Sequence, residues 1–572
     1  MNLRNSLTPP GGPMRLLVLI LACASSAAAL TVNDLAGLHY IDGSGNSLPY
    51  RLFTPAGRGA GQRFPLVLFL HGAGGRGNDN LMQIDDEPIA LTFCAPDHQI
   101  DWPCFMIAPQ CPVDKTWAAI NAGSNWNPGG PMPVDPTWPL AAAKAVVDQL
   151  LAANADIDPA QVYVVGFSMG GYGTWEAAIR WPQTFRKLAP ICGGGDPGSI
   201  GAIAGRPIWA FHAADDGIVP VQGSRAMANA VWNAGGNALY TEYPSSMNIG
   251  HYAWNPAFRD PDLLPWLFGQ PRRLVNGGDG LAAEFRNNTD FSGAANATGY
   301  LSGAGAAADY NAEYSLGTPK NINADDFCVR FSGVLLPPVS GTYTINGSAD
   351  DWIGIWIDGT QVVNGDGESG SIVLVAGTKV PIRIDYIKNR GLANFAANWQ
   401  PPGAGSPTVI PRDNLFSGAN GQPRPFPPSA LTATADGTTA HLSWSDNSSN
   451  ETGFLIEVSS DGISWSSAAT TAANATASTV SGLSAGTRYR FRVRGINASG
   501  PSPHGSIAQV LTGSGGGLSG DLNGDGAVDF RDRDLLLSRF GRRSGDTGWD
   551  VRYDRNGDGR VDALDLAQQL GH

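Results

Sequence analysis

The 572-residue sequence predicts a multidomain chain: an N-terminal doubly wound parallel α/β domain, two β-sandwiches and a small all-α C-terminal module. Three observations predict it. Up to about Gln270, short apolar strand-like runs alternate with helical stretches, the pattern of a parallel sheet. From about Asn276 the texture changes to alternating strands with turn signals and no helical period. The last fifty residues concentrate acidic side chains in two copies of D-x-N-x-D-G, each followed by a leucine-rich helical stretch. A chain this long exceeds a single core, and about three or four domains of ~150 residues each are expected.

Residues 1–29 read as a signal peptide: Arg4 and Arg15, the apolar stretch Leu16 to Ala24, and Ala27-Ala28-Ala29 as a cleavage-like end. The stretch is too short for a stable span, Met14 opens a compact signal by itself, and Cys23 after Leu21-Ala22 is a weak lipoprotein pattern. A secreted, extracellular protein without a membrane span is expected. Cys94, Cys104, Cys111, Cys192 and Cys328 remain after cleavage, an odd set. The clustering of the first three in an exported protein favours one disulfide there, its pairing open. The formal charge of -13, with no basic stripe to offset it, excludes a nucleic-acid binder.

In residues 30–270 the apolar run Gln161 to Val165 enters Gly166-Phe167-Ser168-Met169-Gly170 and leaves through the helical Gly171 to Ala178. A strand–turn–helix of this kind exposes a serine hydroxyl, and the flanking glycines let backbones approach. Upstream, Phe64 to Leu70 is a buried-strand run opening into His71-Gly72-Ala73-Gly74-Gly75. That loop supplies one backbone N–H to an oxyanion hole, from Ala73 or Gly72, and Met169 supplies the second. Downstream, Pro207 to His212 delivers Asp215-Asp216-Gly217-Ile218-Val219-Pro220, where one of the two aspartates should orient the base; the resemblance to hydrolases whose acid stands four residues after a strand-end His and begins D-x-x-V-P implies Asp216 over Asp215. His251, in Gly250-His251-Tyr252, is the one histidine between that acid and the change of texture. The order Ser168, Asp216, His251 makes these the candidate nucleophile, orienting acid and base. His71 and His212 read as structural strand-end histidines. Ala142 to Leu151 reads as an amphipathic helix ended by Asp156 to Pro159. The loop-like stretch through Trp117, Trp126 and Trp138 is a candidate pocket, with Trp126, Trp138 and Trp254 as substrate-contact candidates.

These motifs, with Ala108-Pro109-Gln110 and Ala189 to Gly195, resemble the secreted esterases of the α/β-hydrolase superfamily: feruloyl and acetylxylan esterases, polyhydroxyalkanoate depolymerases and predicted peptidases. The resemblance covers roughly Leu30 to Gln270. It implies an α/β-hydrolase fold and ester hydrolysis through an acyl-serine, with no catalytic cofactor. A feruloyl or acetyl ester of a plant cell-wall polysaccharide is the first expectation and a polyester the second. A peptidase is disfavoured for want of a gating domain. An inert calcium-dependent adhesion protein is the reading from a different class, against which the complete triad argues.

Residues 276–417, with Gly333 to Thr344 and Ala349-Asp350-Asp351-Trp352, resemble a PA14 domain, which implies a β-sandwich with Asp350 and Asp351 as candidate calcium and sugar ligands. Residues 425–512, with Trp444 in a strand and Leu483 to Val493, resemble a fibronectin type III domain with Tyr489 as its tyrosine corner, read as a spacer. A Gly/Ser linker covers 513–518.

Residues 519–572 carry the two acidic loops. Asp521, Asn523, Asp525, Asp529 and Asp532, then Asp554, Asn556, Asp558, Asp562 and Asp565, offer oxygens at positions 1, 3, 5, 9 and 12 around Gly526 and Gly559. That is the ligand spacing of an EF-hand-like loop holding a structural Ca2+. Asp at position 12 and the paired loops resemble a type I dockerin, which implies a cohesin-type partner. Phe530-Arg531 and Ala563-Leu564 stand where dockerins often carry Ser or Thr at positions 10 and 11.

Overall fold

The computed structural model describes residues 31–56, 61–121, 126, 129–301, 322–323, 325–390, 395–513, 522, 530–544, 546, 553–554 and 558–570. The signal-like segment 1–29 with Cys23, and all of the linker except Gly513, lie outside the described residues.

The first domain is built on an eight-stranded sheet. An edge hairpin of β1 (Ala36–Ile41) and β2 (Ser47–Phe53) is antiparallel, while β3 (Phe64–Leu70), β4 (Phe105–Pro109), β5 (Ile157–Phe167), β6 (Lys187–Ile191), β7 (Trp209–Ala213) and β8 (Leu239–Tyr243) run parallel. The order is β1-β2-β4-β3-β5-β6-β7-β8. Because β4 lies on one side of β3 and β5 on the other, the winding reverses there, and a crevice opens at the carboxyl ends of these strands. β3 is apolar at nearly every position because both faces of the sheet are covered. Leu66, Leu68 and Leu70 point into one buried cluster with Val146 and Val147, while Val67 and Phe69 point into another with Phe93 and Phe258. Val146 and Val147 belong to the expected amphipathic helix, Trp138–Ala153, whose Thr137 hydroxyl accepts from Leu140 N–H.

The second domain is a β-sandwich of β9 (Leu281–Arg286), β10 (Ala297–Leu301), β11 (Phe327–Leu335), β12 (Gly341–Ala349), β13 (Trp352–Ile357), β14 (Thr360–Asn364), β15 (Ser369–Leu374), β16 (Val380–Lys388), β17 (Phe395–Gln400), β18 (Thr408–Val409) and β19 (Leu415–Phe416). One sheet runs β10-β9-β11-β16-β13-β14 with β19 beside β11, and the other β15-β12-β17-β18. Phe331, Tyr343, Ile355, Tyr386 and Trp399 fill the space between them. Asp351 accepts the N–H of Asn389, and Asp350 accepts the Tyr386 hydroxyl through its carbonyl, so both hold the β12–β13 turn in place.

The third domain, a sandwich of a three-stranded and a five-stranded sheet, closes over Trp444, Phe454 and Phe491. The Tyr489 hydroxyl accepts the N–H of Ser484, the backbone tie of a tyrosine corner. This domain is more than a spacer, because it is tied to the first by buried polar groups. Arg492 and His504 Nδ1 reach the Asp262 carboxylate at 2.8 and 2.7 Å, and Arg490 donates to Thr241 Oγ1 at 2.7 Å.

All five cysteines described are free and buried, which corrects the expected disulfide. Cys111 packs in the cluster on one face of the sheet and Cys94 and Cys104 in the cluster on the other. The Cys94 and Cys104 thiols point to the carbonyls of Ala90 and Phe93 instead of to each other. Burial pushes the Cys104 thiol up to about 12.

The C-terminal module contributes the helices Phe530–Ser538 and Ala563–Leu570, joined by an antiparallel bridge between Arg543 and Arg560. Leu522, Leu536, Tyr553 and Val561 form its small core.

Candidate active site

The turn after β5 places Ser168 at φ 54°, ψ −120°, a left-handed backbone costly for any residue with a Cβ. Two flanking glycines are sterically required. A Cβ on Gly170 would lie 1.8 Å from the Leu70 carbonyl oxygen, and one on Gly166 would meet the carbonyls of Gly170 and Leu70 at 2.5 and 2.7 Å. The helix Met169–Arg180 can therefore start directly against the end of β3. That contact brings the loop after β3 beside the serine.

Ser168 Oγ lies 2.9 Å from His251 Nε2, and His251 Nδ1 lies 2.8 Å from Asp216 Oδ2. Ser168 is 5% exposed and the Asp216 side chain is fully buried. Burial alone would raise the Asp216 carboxyl. Hydrogen bonds from His212, His251 and the N–H groups of Val219 and Ile218 outweigh it and hold the group well below the usual carboxylate range. It is therefore an anion beside the imidazole. Asp215 does a different job: its Oδ2 accepts the N–H of Gly250, the residue before the histidine, at 3.1 Å.

Met169 is the first residue of its helix and Ala73 the first of the 3-10 turn Ala73–Gly75. At such positions an N–H has no carbonyl partner within its own helix, which leaves it available to a developing anion.

The two strand-end histidines are buried and built into the framework. His71 Nδ1 donates to Gly72 O at 2.6 Å and its Nε2 accepts from Cys111 N–H at 3.0 Å. Burial drives its pKa down to about 4, so it stays neutral. His212 Nε2 faces two acceptors, Asp216 Oδ2 at 3.2 Å and the Val219 carbonyl at 3.1 Å, so this nitrogen carries the proton. Its Nδ1 lies 2.8 Å from Ser224 Oγ. Reading His212 as a strand-end residue missed its contact with the acid, although its position four residues ahead of Asp216 was visible.

The three tryptophans separate. Trp126 is half-buried and packs on Tyr172 of the nucleophile helix at 6.0 Å. Trp138 is tied by its indole N–H to Asp42 at 2.5 Å, on the edge hairpin four strands from β5. Trp254 is 3% exposed, wedged between Phe167 at 4.5 Å and the edge of His251 at 5.2 Å. Trp138 anchors a helix, and Trp254, expected as a substrate contact, is instead buried behind the histidine ring. Trp117 is wholly buried with its indole N–H on the His71 carbonyl, and Glu176 fixes the same loop by accepting Ala119 N–H at 2.8 Å.

Ligand-type atoms of Cys192, Asp216 and His251 lie within 4.8 Å of one another. Burial, first, and the Asp216 charge push the Cys192 thiol well up, so it is protonated at neutral pH and a poor metal ligand. The cluster is the acid–base pair with a thiol beside it.

In the acidic loops, Asp532 and Asp565 are fully buried and Asp554 nearly so. Asp554 accepts the N–H groups of Asp558 and Gly559 at 3.1 and 2.8 Å, and Asp565 accepts that of Asp562 at 2.7 Å. Asp521, Asn523, Asp525, Asp529 and Asn556 lie outside the described residues. A set of buried carboxylates drawn around short turns fits a hard, oxygen-seeking cation.

A doubly wound sheet with a serine on a strained elbow, in hydrogen-bonded line with a histidine and an aspartate, gives an esterase-like α/β fold. Comparison with known proteins agrees. Residues 277–413 match the PA14 domain, 426–510 the fibronectin type III domain and 519–568 the dockerin type I domain, so the chain carries all three. It is similar to a probable carboxylesterase of Oryza sativa subsp. japonica, 29% identical over 35% of this chain and 75% of that protein. It is similar also to a probable feruloyl esterase C of Aspergillus terreus, 26% identical over 32% of this chain and 60% of that protein. A crystal structure of a thermostable esterase is 38% identical over 42% of this chain and 64% of that one, with a TM-score of 0.39. The chain spans between 21% and 77% of the length of the curated relatives it matches. The N-terminal domain is thus similar to carboxylesterases and is joined to three accessory domains. Among the described residues, no helix is long and apolar enough to cross a membrane.

Proposed function

We propose that this chain is a secreted serine carboxylic-ester hydrolase acting on feruloyl or acetyl esters of plant cell-wall polysaccharide. One observation carries the reading: Ser168 Oγ, His251 and Asp216 form one hydrogen-bonded line at the mouth of the sheet's crevice. His251 Nε2 takes the hydroxyl proton as Ser168 attacks the ester carbonyl, and Asp216 holds the tautomer and the imidazolium. The N–H groups of Ala73 and Met169 receive the oxyanion. His251 then returns the proton to the leaving alcohol, an acyl-serine remains, and water activated by the same imidazole releases the acid. Trp126, over Tyr172 on the nucleophile helix, is the proposed contact for the acyl or polymer chain.

The accessory domains support a site of action at a polymer outside the cell, as does the signal-like 1–29 segment. In the C-terminal module, Asp532, Asp554, Asp558, Asp562 and Asp565, with the loop residues outside the described set, would hold Ca2+, which supplies the charge that lets these carboxylates share one small core. The dockerin match supports a cohesin-type protein partner. Leu564, at position 11 of the second loop, is 60% exposed and would make that contact through an apolar side chain.

The test is acid release by the full chain from feruloylated and acetylated arabinoxylan beside a poly(hydroxyalkanoate) film, with Ser168→Ala as control. Ferulate or acetate release by the parent chain alone is the expected result. Hydroxy-acid release from the film alone would replace the reading with a polyester depolymerase.

A further inference from the structure

On the outer face of the PA14 domain a cavity of about 370 Å³ is lined by Ser332, Trp356, Pro381, Arg383, Ser417 and Ala419. Its size falls within the roughly 300–1,000 Å³ of small-ligand sites. The strand register explains how it forms. Ser332 of β11 and Trp356 of β13 both pair with Arg383 of β16, so the three side chains stand in one row across the sheet. Ile382 and Ile384, which alternate with Arg383, point the other way into the core.

The row is built to present a guanidinium. The Arg383 guanidinium carbon lies 3.7 Å from the centroid of the Trp356 ring, which fixes its plane. The indoles of Trp352 and Trp356 close over Gly354, where a Cβ would meet them at 2.5 and 2.6 Å. Only a glycine allows that closure. Arg383 also lacks a close acceptor. Its Nε is buried with no hydrogen-bond partner, and the nearest carboxylate, Asp385, is 3.5 Å away. Asp385 is already held by both arms of Arg330 at 2.8 and 2.7 Å. Among the described residues, the same face carries two further pairs, Glu284 with Arg286 at 2.8 Å and Asp279 with Arg424 at 3.0 Å, and Lys379 lies over the Phe416 ring beside the cavity. Each of the three carboxylates thus has an arginine of its own, which leaves Arg383 as the guanidinium without one, on a chain whose net charge is -13.

We propose that this cavity binds a carboxylate-bearing sugar ring, a uronosyl residue of a polysaccharide, independently of calcium and of the hydrolase site. Arg383 pairs with the ring carboxylate, the Ser332 hydroxyl bonds a ring hydroxyl, and Pro381 with the exposed edge of Trp356 covers the apolar C–H face of the sugar. An aromatic acid is disfavoured, because the Trp356 face it would stack on is occupied by Arg383.

The test uses the full chain as Ser168→Ala, so that ester turnover does not interfere. It is titrated calorimetrically with a xylo-oligosaccharide bearing one glucuronosyl branch and with the same compound reduced at the carboxyl. The acidic compound is expected to bind about tenfold or more tightly than its reduced counterpart, with no change on chelation of calcium. Adding Arg383→Met is expected to remove that preference. Equal affinity for the two compounds, no binding, or loss of binding on chelation would overturn the proposal. The comparison of the two compounds needs no variant at Arg383 and so stands even if that variant fails to fold.

Discussion

His212 Nε2 lies 3.2 Å from Asp216 Oδ2, the same oxygen that holds His251 Nδ1 from the opposite side at 2.8 Å. The orienting acid is thus itself oriented by a fully buried imidazole anchored to Ser224. His212→Gln is expected to lower kcat about tenfold or more with KM nearly unchanged, because the alignment of Asp216 matters in the transition state and not in substrate binding. Steady-state kinetics on a soluble ester checks this. A change confined to KM would contradict it.

Gly170 faces the Leu70 carbonyl so closely that Gly170→Ala is expected to separate the nucleophile helix from β3. The cost is about 3 kcal/mol or more, with loss of activity. Thermal unfolding and ester hydrolysis measured on the same preparation check both effects.

The interface between the first and third domains rests on Asp262, which is buried against Arg492 and His504. Arg492→Ala strips a buried carboxylate of one partner and is expected to destabilise the chain by about 3 kcal/mol. The neighbouring Asp260 adds a pH dependence. Burial, and then the Asp262 charge, raise its carboxyl above the usual range. A carboxyl whose folded pKa is raised binds its proton more tightly in the native state. That stability is therefore present below the ordinary carboxylate range and is lost as pH rises toward neutrality. Asp260→Asn is expected to raise Tm at pH 8 by about 2 °C or more and to leave it unchanged at pH 4. Equal shifts at both pH values would contradict the assignment.

Chelation is expected to melt the C-terminal module while leaving ester hydrolysis intact. Its carboxylates repel one another without a cation, whereas the steps proposed for Ser168, His251 and Asp216 call on none. Circular dichroism and activity, followed together during EDTA titration, check the separation.

The hydrogen-bonded line of Ser168, His251 and Asp216 was legible from the glycines around Ser168, which the tight turn requires, from the D-x-x-V-P that the resemblance attaches to Asp216, and from the one histidine, His251, after the last strand. The sandwich domains were legible from alternation and from residues such as Trp444 and Tyr489. What escaped was everything set by packing between distant segments. Trp254 looks like a loop aromatic in the chain but lies behind His251, Trp138 pairs with Asp42 on a hairpin nearly a hundred residues away, and the sheet separates Cys111 from Cys94 and Cys104, whose thiols turn to different carbonyls. The docking of the third domain through Asp262 and Arg492 had no local signature, since a buried ion pair across 230 positions leaves no periodicity.

The central claim, that Ser168 carries the acyl group, is tested most directly by acid-quenching the enzyme during turnover of a feruloyl or acetyl ester and locating the adduct by peptide mass spectrometry. The account predicts an acyl group on the peptide containing Ser168, absent in Ser168→Ala along with acid release. Undiminished acid release by Ser168→Ala would contradict it.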